Sequence, residues 1–182
     1  IIEVATTFDH NQDISDSWNL ISFPGVDGSS MQASSIYPNM SVAWAWNNLT
    51  GAYEEIQSTA DLTPGQAFWL KNAGNFEVDE TGLSFSAKEN VAIGNGWNMF
   101  GVLDYTINTA DVRTVPSDAI SASSTFWGYN GGYEVKTTIN PGSAVWIKTT
   151  AAGELVLPTA AGPALPKAGE SFVREEWAQI HI

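Results

Sequence analysis

The first residues along the chain that could do chemistry are oxygen donors. Asp9, Asn11 and Asp13 alternate through Asp9-His10-Asn11-Gln12-Asp13, and Asp16 follows. Calcium takes about six to eight oxygen ligands, and Asp-x-Asn-x-Asp begins such a shell. The rest of a calcium loop is missing. Ile14 stands where the sharp turn takes glycine, and Leu20 where a bidentate glutamate closes the shell. The favoured reading is a solvated Asx-rich turn leading into the first strand, with Asp9, Asn11, Asp13 and Asp16 as candidate calcium ligands. No other cofactor is expected.

The second set is aromatic. Trp44, Trp46, Tyr53, Trp127, Tyr129 and Tyr133 fall in short runs beside turn residues, with Trp69 and Trp146 further on. Flat rings stack on pyranose rings while nearby Asn, Gln or Asp reads hydroxyls, so the set is a candidate glycan platform. That reading requires at least two rings to lie coplanar and exposed. The competing reading is a shared core with hairpin clamps, and matched positions favour it.

Enzyme motifs are absent. There is no G-x-S-x-G, H-E-x-x-H, P-loop or G-x-G-x-x-G. The lack of cysteine removes disulfides, thiolate zinc sites and a thiol nucleophile. His10 and His181 have no triad pattern around them and read as surface residues near the chain ends. Glu54, Glu55, Glu80, Glu154, Glu175 and Glu176 sit beside turns or in charge runs, where solvated acids are the rule. Catalysis is not expected. Asn39-Met40-Ser41 and Asn48-Leu49-Thr50 match the glycan acceptor pattern, which a bacterial chain usually leaves unmodified.

Charge narrows the partners. The 182 residues carry 20 acids against 7 bases, a net charge of -13. Nucleic acid requires clustered Lys and Arg, so it is excluded as a partner. Anionic membrane surfaces are disfavoured, and no apolar run reaches the length of a bilayer span. Only 15% of residues are charged, against about 25% in an average soluble domain. An acidic, cysteine-free, Trp-rich chain of that kind fits an extracellular or cell-surface module. It begins at Ile1 without Met, which reads as a mature product or a piece of something longer.

These residues sit on a repeat. Ile14-Ser15-Asp16-Ser17-Trp18-Asn19-Leu20 matches Ile93-Gly94-Asn95-Gly96-Trp97-Asn98-Met99. Trp44-Ala45-Trp46-Asn47 answers Trp127-Gly128-Tyr129-Asn130, and Gly51-Ala52-Tyr53-Glu54 answers Gly131-Gly132-Tyr133-Glu134. Pro64-Gly65-Gln66-Ala67-Phe68-Trp69-Leu70-Lys71 answers Pro141-Gly142-Ser143-Ala144-Val145-Trp146-Ile147-Lys148. Four blocks in one order mark two copies of a unit.

Each block reads as strand or hairpin. Pro-Gly at 64–65 and 141–142 launches the next strand. One short helical turn per unit is expected, at 30–36 and at 109–115, with Thr109 as a cap and Pro38 and Pro116 as stops. Alternation places Val42, Trp44 and Trp46 opposite Ala43, Ala45 and Asn47, and Trp127 and Tyr129 opposite Phe126 and Gly128. Phe68 and Leu70 oppose Trp69 and Lys71, as Val145 and Ile147 oppose Trp146 and Lys148. A Trp beside a Lys predicts a partly exposed surface with the lysine stem over the ring.

The blocks resemble a repeat of large secreted or surface-attached bacterial proteins. Its pattern is Trp-Asn-Leu-Ile-Ser-x-Pro, an aromatic hairpin, then Pro-Gly-x-x-aromatic-Trp-hydrophobic. Trp18-Asn19-Leu20-Ile21-Ser22-Phe23-Pro24 and Pro64 to Leu70 carry it. The second copy departs at Met99-Phe100-Gly101-Val102-Leu103, which lacks the Ser and the Pro. The resemblance implies an extracellular accessory or stalk-like module and transfers no catalytic residue.

The expectation is an all-β chain of two homologous tandem units with pseudo-two-fold symmetry, small-barrel or sandwich-like. Residues 1–86 form the first unit with an N-terminal strand, and 87–158 the second. Residues 159–182 form a Pro/Ala/Gly linker and an amphipathic segment, whose residues 172–182 pair or pack within the chain, Ile1 to Ala5 being one partner. The expected function is non-catalytic: spacing, anchoring or presenting parts of a larger bacterial surface protein. Neighbouring domains or another surface protein are its partners. The alternative is a carbohydrate-binding module using Trp and Tyr around the two hairpins, with glycan as partner.

Overall fold

The computed structural model describes residues 8–25, 31–83, 90–103 and 105–158, and they form a predominantly β structure of antiparallel sheets. The first half runs β1 (Phe8–Ile14), β2 (Trp18–Ser22), the helical turn α1 (Ala33–Ile36), β3 (Met40–Asn47), β4 (Ala52–Glu55), β5 (Ala67–Asn72) and β6 (Phe76–Leu83). The second runs β7 (Asn90–Ile93), β8 (Gly96–Gly101), β9 (Ile107–Asn108), a 3-10 turn (Thr109–Asp111), β10 (Arg113–Val115), β11 (Trp127–Tyr129), β12 (Tyr133–Val135), β13 (Thr138–Ile139), β14 (Ala144–Thr149) and β15 (Gly153–Val156).

Two four-stranded sheets carry the matched blocks, in the orders β2-β5-β3-β4 and β8-β14-β11-β12. β1 pairs with β6, and β7 with β15, which also holds β10; β9 pairs with β13. No barrel closes among the described residues, so the small-barrel form of the expectation gives way to open sheets. The reason is strand number: a barrel with a filled interior takes about eight strands, twice what each sheet has.

Local chemistry sets the turns. Gln66 N–H donates to Thr63 O at 2.9 Å and Ser143 N–H to Asn140 O at 3.0 Å. Each turn has Pro second and Gly third, with Gly65 at φ 76° and Gly142 at φ 81°. That is the type II turn, whose third position needs the left-handed region that glycine enters freely.

Alternation then separates two kinds of packing. Phe68, Leu70 and Ala43 turn into an aliphatic core with Ile14, Ile21, Val78 and α1's Ile36. Val145, Ile147 and Phe126 turn into a second core with Ile93, Phe100 and Leu155. The opposite faces meet in a third cluster drawn from both halves: Leu20, Ala67, Met99, Ala144 and Trp146, flanked by Trp46, Trp69, Trp127 and Tyr129. A fully buried aromatic ring removes about 150–250 Å² from water. At ~25 cal/mol/Å² that is roughly 4–6 kcal/mol gross for the nearly buried Trp146, and less for the half-buried rings around it.

Three local expectations are corrected. The helical turns are shorter than the sequence implied. Thr109 is the first residue of its turn rather than the cap, and its Oγ1 donates to Thr137 O at 3.2 Å. Arg113–Val115 is strand β10, because Val112 and Thr114 are buried while Arg113 and Val115 are exposed. That period of two, in a β-branched run, suits pairing with β15. The Asx-rich stretch is not a turn either: Asp9 to Asp13 belong to β1. The Ile1 to Ala5 segment and residues 159–182, with the pairing expected between them, lie outside the described residues.

Candidate functional site

The aromatic layer is built by register. Trp44 faces Trp69 across β3 and β5, Trp46 faces Tyr53 across the β3–β4 hairpin, and Trp127 faces Trp146 across β11 and β14. Between the sheets, Trp146 meets Trp46 at 5.3 Å and Tyr53 at 6.4 Å. Trp69 meets Tyr129 at 4.9 Å and Tyr133 at 6.2 Å. These contacts are edge-to-face, the geometry that ring quadrupoles favour.

Hydrogen bonds fix the contact. Trp46 Nε1–H donates to Trp97 O at 2.8 Å. Asn48, at the hairpin tip, donates to Ala92 O and Met99 O at 3.1 Å each and accepts from Met99 N–H at 2.8 Å. Ser22 N–H donates to Gly142 O at 2.8 Å, and its hydroxyl to Ser143 O at 3.0 Å.

Two recesses open along this layer. One, of about 530 Å³, is lined by Trp18, Trp44, Tyr53, Trp69 and Tyr129. The other, of about 550 Å³, is lined by Trp46, Tyr53, Trp97, Trp127, Tyr133 and Trp146. All six residues expected from sequence therefore come together, with Tyr53 bordering both recesses. Tyr53 is 49% exposed, Tyr133 60%, Trp97 46% and Trp18 36%, whereas Trp146 is 7% exposed. Burial, then the neighbouring Tyr53 and Tyr129 hydroxyls, pushes the Tyr133 phenol upward, so it stays a protonated donor.

The rings do not form the flat platform expected of a glycan site. Every ring pair among the described residues is edge-on. Trp44 and Trp127 also line the recesses, each beside the ring it faces across the sheet, Trp69 and Trp146. Sequence reasoning left Trp18 and Trp97 out of the site. Their signal was the Trp-Asn that opens each repeat. Each lies directly across from a lysine, Trp18 from Lys71 and Trp97 from Lys148. The Lys71 ammonium stands 6.0 Å from the centre of the Trp18 ring, so the lysine reaches the neighbouring strand's ring instead of Trp69.

Comparisons with protein-family models, curated proteins and solved structures find no match.

The candidate calcium ligands lie elsewhere. Asp9, Asn11 and Asp13 share the exposed face of β1. Asp9 Oδ1 accepts from Gly82 N–H at 3.0 Å, and the Asn11 amide donates to Asp79 Oδ1 at 2.9 Å. Asp16 lies beyond the strand, where its N–H donates to Asn75 Oδ1 at 2.9 Å. Alternate strand positions are about 6.6–6.8 Å apart, whereas ligands of one calcium lie within about 5 Å of each other. Among the described residues, no three His, Asp or Glu gather closely enough to hold a metal ion.

His10 is not a surface residue; it is 5% exposed. It lies against Gly142, where an added Cβ would stand 2.5 Å from the His10 ring. Burial pushes its imidazole down, partly offset by Gln12, whose own amide donates to Gly142 O at 2.8 Å. A larger polar recess of about 720 Å³ runs between β1–β2 and the β11–β12 hairpin. Its only lysine, Lys136, is paired with Glu134. Among the described residues, no helix is long and apolar enough to cross a membrane.

Proposed function

We propose that this chain is a non-catalytic extracellular or cell-surface β module of a larger bacterial protein, built from two copies of one unit about a pseudo-two-fold axis. Reciprocity carries the reading. Trp69 and Trp146 hold the same place in the repeat, as do Tyr129 and Trp46, and Tyr133 and Tyr53. The contacts Trp69–Tyr129 and Trp146–Trp46 are then one contact made twice, as are Trp69–Tyr133 and Trp146–Tyr53. That is what an isologous interface requires.

The work of such a module is interaction: to space, anchor or present neighbouring domains or another surface protein. A shared buried layer makes the two units one stiff body, and exposed aromatic recesses mark a contact surface. The test is turnover. The purified chain is incubated with polysaccharide, peptide and ester substrates, and no product is expected. Sustained hydrolysis that survives repurification would overturn the reading.

Carbohydrate binding is the second reading. The aromatic recesses lined by Trp44 and by Trp127 favour it, because exposed apolar patches mark interaction sites. A glycan array showing no binding would remove it.

A further inference from the structure

β4 and β12 hold the same place in the two units, each at the end of a four-stranded sheet. Among the described residues neither has a strand on its outer side. All four residues of β4 and all three of β12 are exposed. We propose that the β4 edge takes an added strand from a basic, extended segment of another polypeptide. The proposal rests on the interaction reading of the module and gives its partner a chemistry.

Register fixes which backbone groups face outward. Ile56 N–H donates to Ala43 O at 2.9 Å, so these two residues are a hydrogen-bonded pair. Such pairs alternate with open ones along an antiparallel ladder. Ala45–Glu54 and Asn47–Ala52 are then hydrogen-bonded pairs, and Trp44–Glu55 and Trp46–Tyr53 are open. In an open pair the N–H and C=O of each residue point away from the partner strand. Tyr53 and Glu55 therefore aim their N–H and C=O groups at the free side of β4, where an extended chain can pair with them. Lys136 N–H donates to Phe126 O at 2.9 Å, and the same alternation turns Tyr133 and Val135 outward from β12.

Side chains choose the edge and the occupant. Natural edges are blunted by Lys, Pro or a bulge. β4 has no Lys and no Pro, and it pairs with β3 in one unbroken register. Its guards are Glu54 and Glu55, which point to opposite sheet faces, and residues 40–55 hold no base. Glu54 accepts from the Asn47 amide at 2.8 Å, a neutral partner that leaves its charge in place. At β12 the matched positions are Glu134, already paired with Lys136, and exposed Val135. A second copy on β4 would bring two acids from each chain together, and like charges across a sheet destabilise it. The chain's own residues 159–182 carry three acids against two bases, so they do not match this edge either. The matching strand has two adjacent Lys or Arg, one across from each acid, followed by an apolar residue across from Tyr53.

The test is titration of the isotope-labelled full chain with the capped peptide TVKKVT, which reads the same from either end, and with TVEEVT as control. Amide protons are followed in proton–nitrogen correlation spectra. In the free chain the Tyr53 and Glu55 amides should exchange quickly and that of Glu54 slowly. TVKKVT should move Tyr53 and Glu55 downfield and slow their exchange, and TVEEVT should not bind. Glu55→Gln should weaken TVKKVT by about threefold and Glu55→Lys by about tenfold. Glu55→Pro removes an outward donor while leaving the bonds to β3, so it should weaken binding more than Glu55→Gln does. The proposal is overturned if TVKKVT does not bind, if TVEEVT binds equally, if the shifts fall on Tyr133 and Val135, or if Glu55→Lys binds TVKKVT unchanged. Tyr53 and Glu55 amides already protected in the free chain would also overturn it, because the chain's own residues or a second copy would then cover the edge. None of these outcomes touches the non-catalytic reading, which turnover alone removes.

Discussion

Ser22 and Gly101 hold the same place in the two repeats and lie against each other: a Cβ on Gly101 would stand 2.1 Å from the Ser22 Cβ. Two equivalent side chains cannot both occupy that point. The departure of the second copy from the Trp-Asn-Leu-Ile-Ser pattern at Gly101 thus has a steric cause. Gly101→Ser should destabilise the chain by about 1–3 kcal/mol, as overpacking does. Ser22→Gly combined with Gly101→Ser should recover most of that loss, because the serine then fills the vacated space. Urea denaturation of the two singles and the double measures the coupling; simple additivity would contradict close contact.

Asn48 makes a second prediction. Its amide holds Ala92 and Met99 from the tip of the β3–β4 hairpin. Asn48→Ala leaves those backbone groups short of partners and should cost about 1–3 kcal/mol. The same bonds occupy the nitrogen that a glycan would need. Expressed through a eukaryotic secretory pathway, the chain should carry glycan at exposed Asn39 and not at Asn48, as read by glycopeptide mass spectrometry. Full occupancy at Asn48 would place the hairpin elsewhere.

Much of this was legible because the layers follow simple alternation. Trp44 and Trp46 against Ala43 and Ala45, and Trp146 against Val145 and Ile147, already separate an aromatic face from an aliphatic one. The Pro-Gly turns and their strands were equally plain. Strand β1 was not, because its alternation is polar on both faces. Asp9, Asn11 and Asp13 point to solvent, while His10 and Gln12 turn inward, so the oxygen spacing marks the outer face of a strand. β10 was hidden because a short β-branched run ahead of Pro116 reads as easily as a helical turn. Trp18 and Trp97 went unassigned because only the cross-strand register brings them beside the other rings.

His10 sets a pH dependence. Its folded pKa lies below the ordinary value of about 6.5. The unfolded chain therefore binds a proton that the folded chain refuses. Its contribution is complete above about pH 6.5 and declines as pH falls from there toward the depressed folded value. The stability of the parent relative to His10→Gln should be flat above pH 7 and fall below about 6.5. A difference that rises on acidification would mean that the folded state favours the charged ring.

The account's central claim is that two copies of one unit meet through a shared aromatic layer. Thermodynamic coupling between Trp46 and Trp146, which meet at 5.3 Å across that layer, tests it most directly. In urea denaturation of Trp46→Ala, Trp146→Ala and the double variant, the account predicts a coupling of about 0.5–1.5 kcal/mol. Losses that simply add would contradict it.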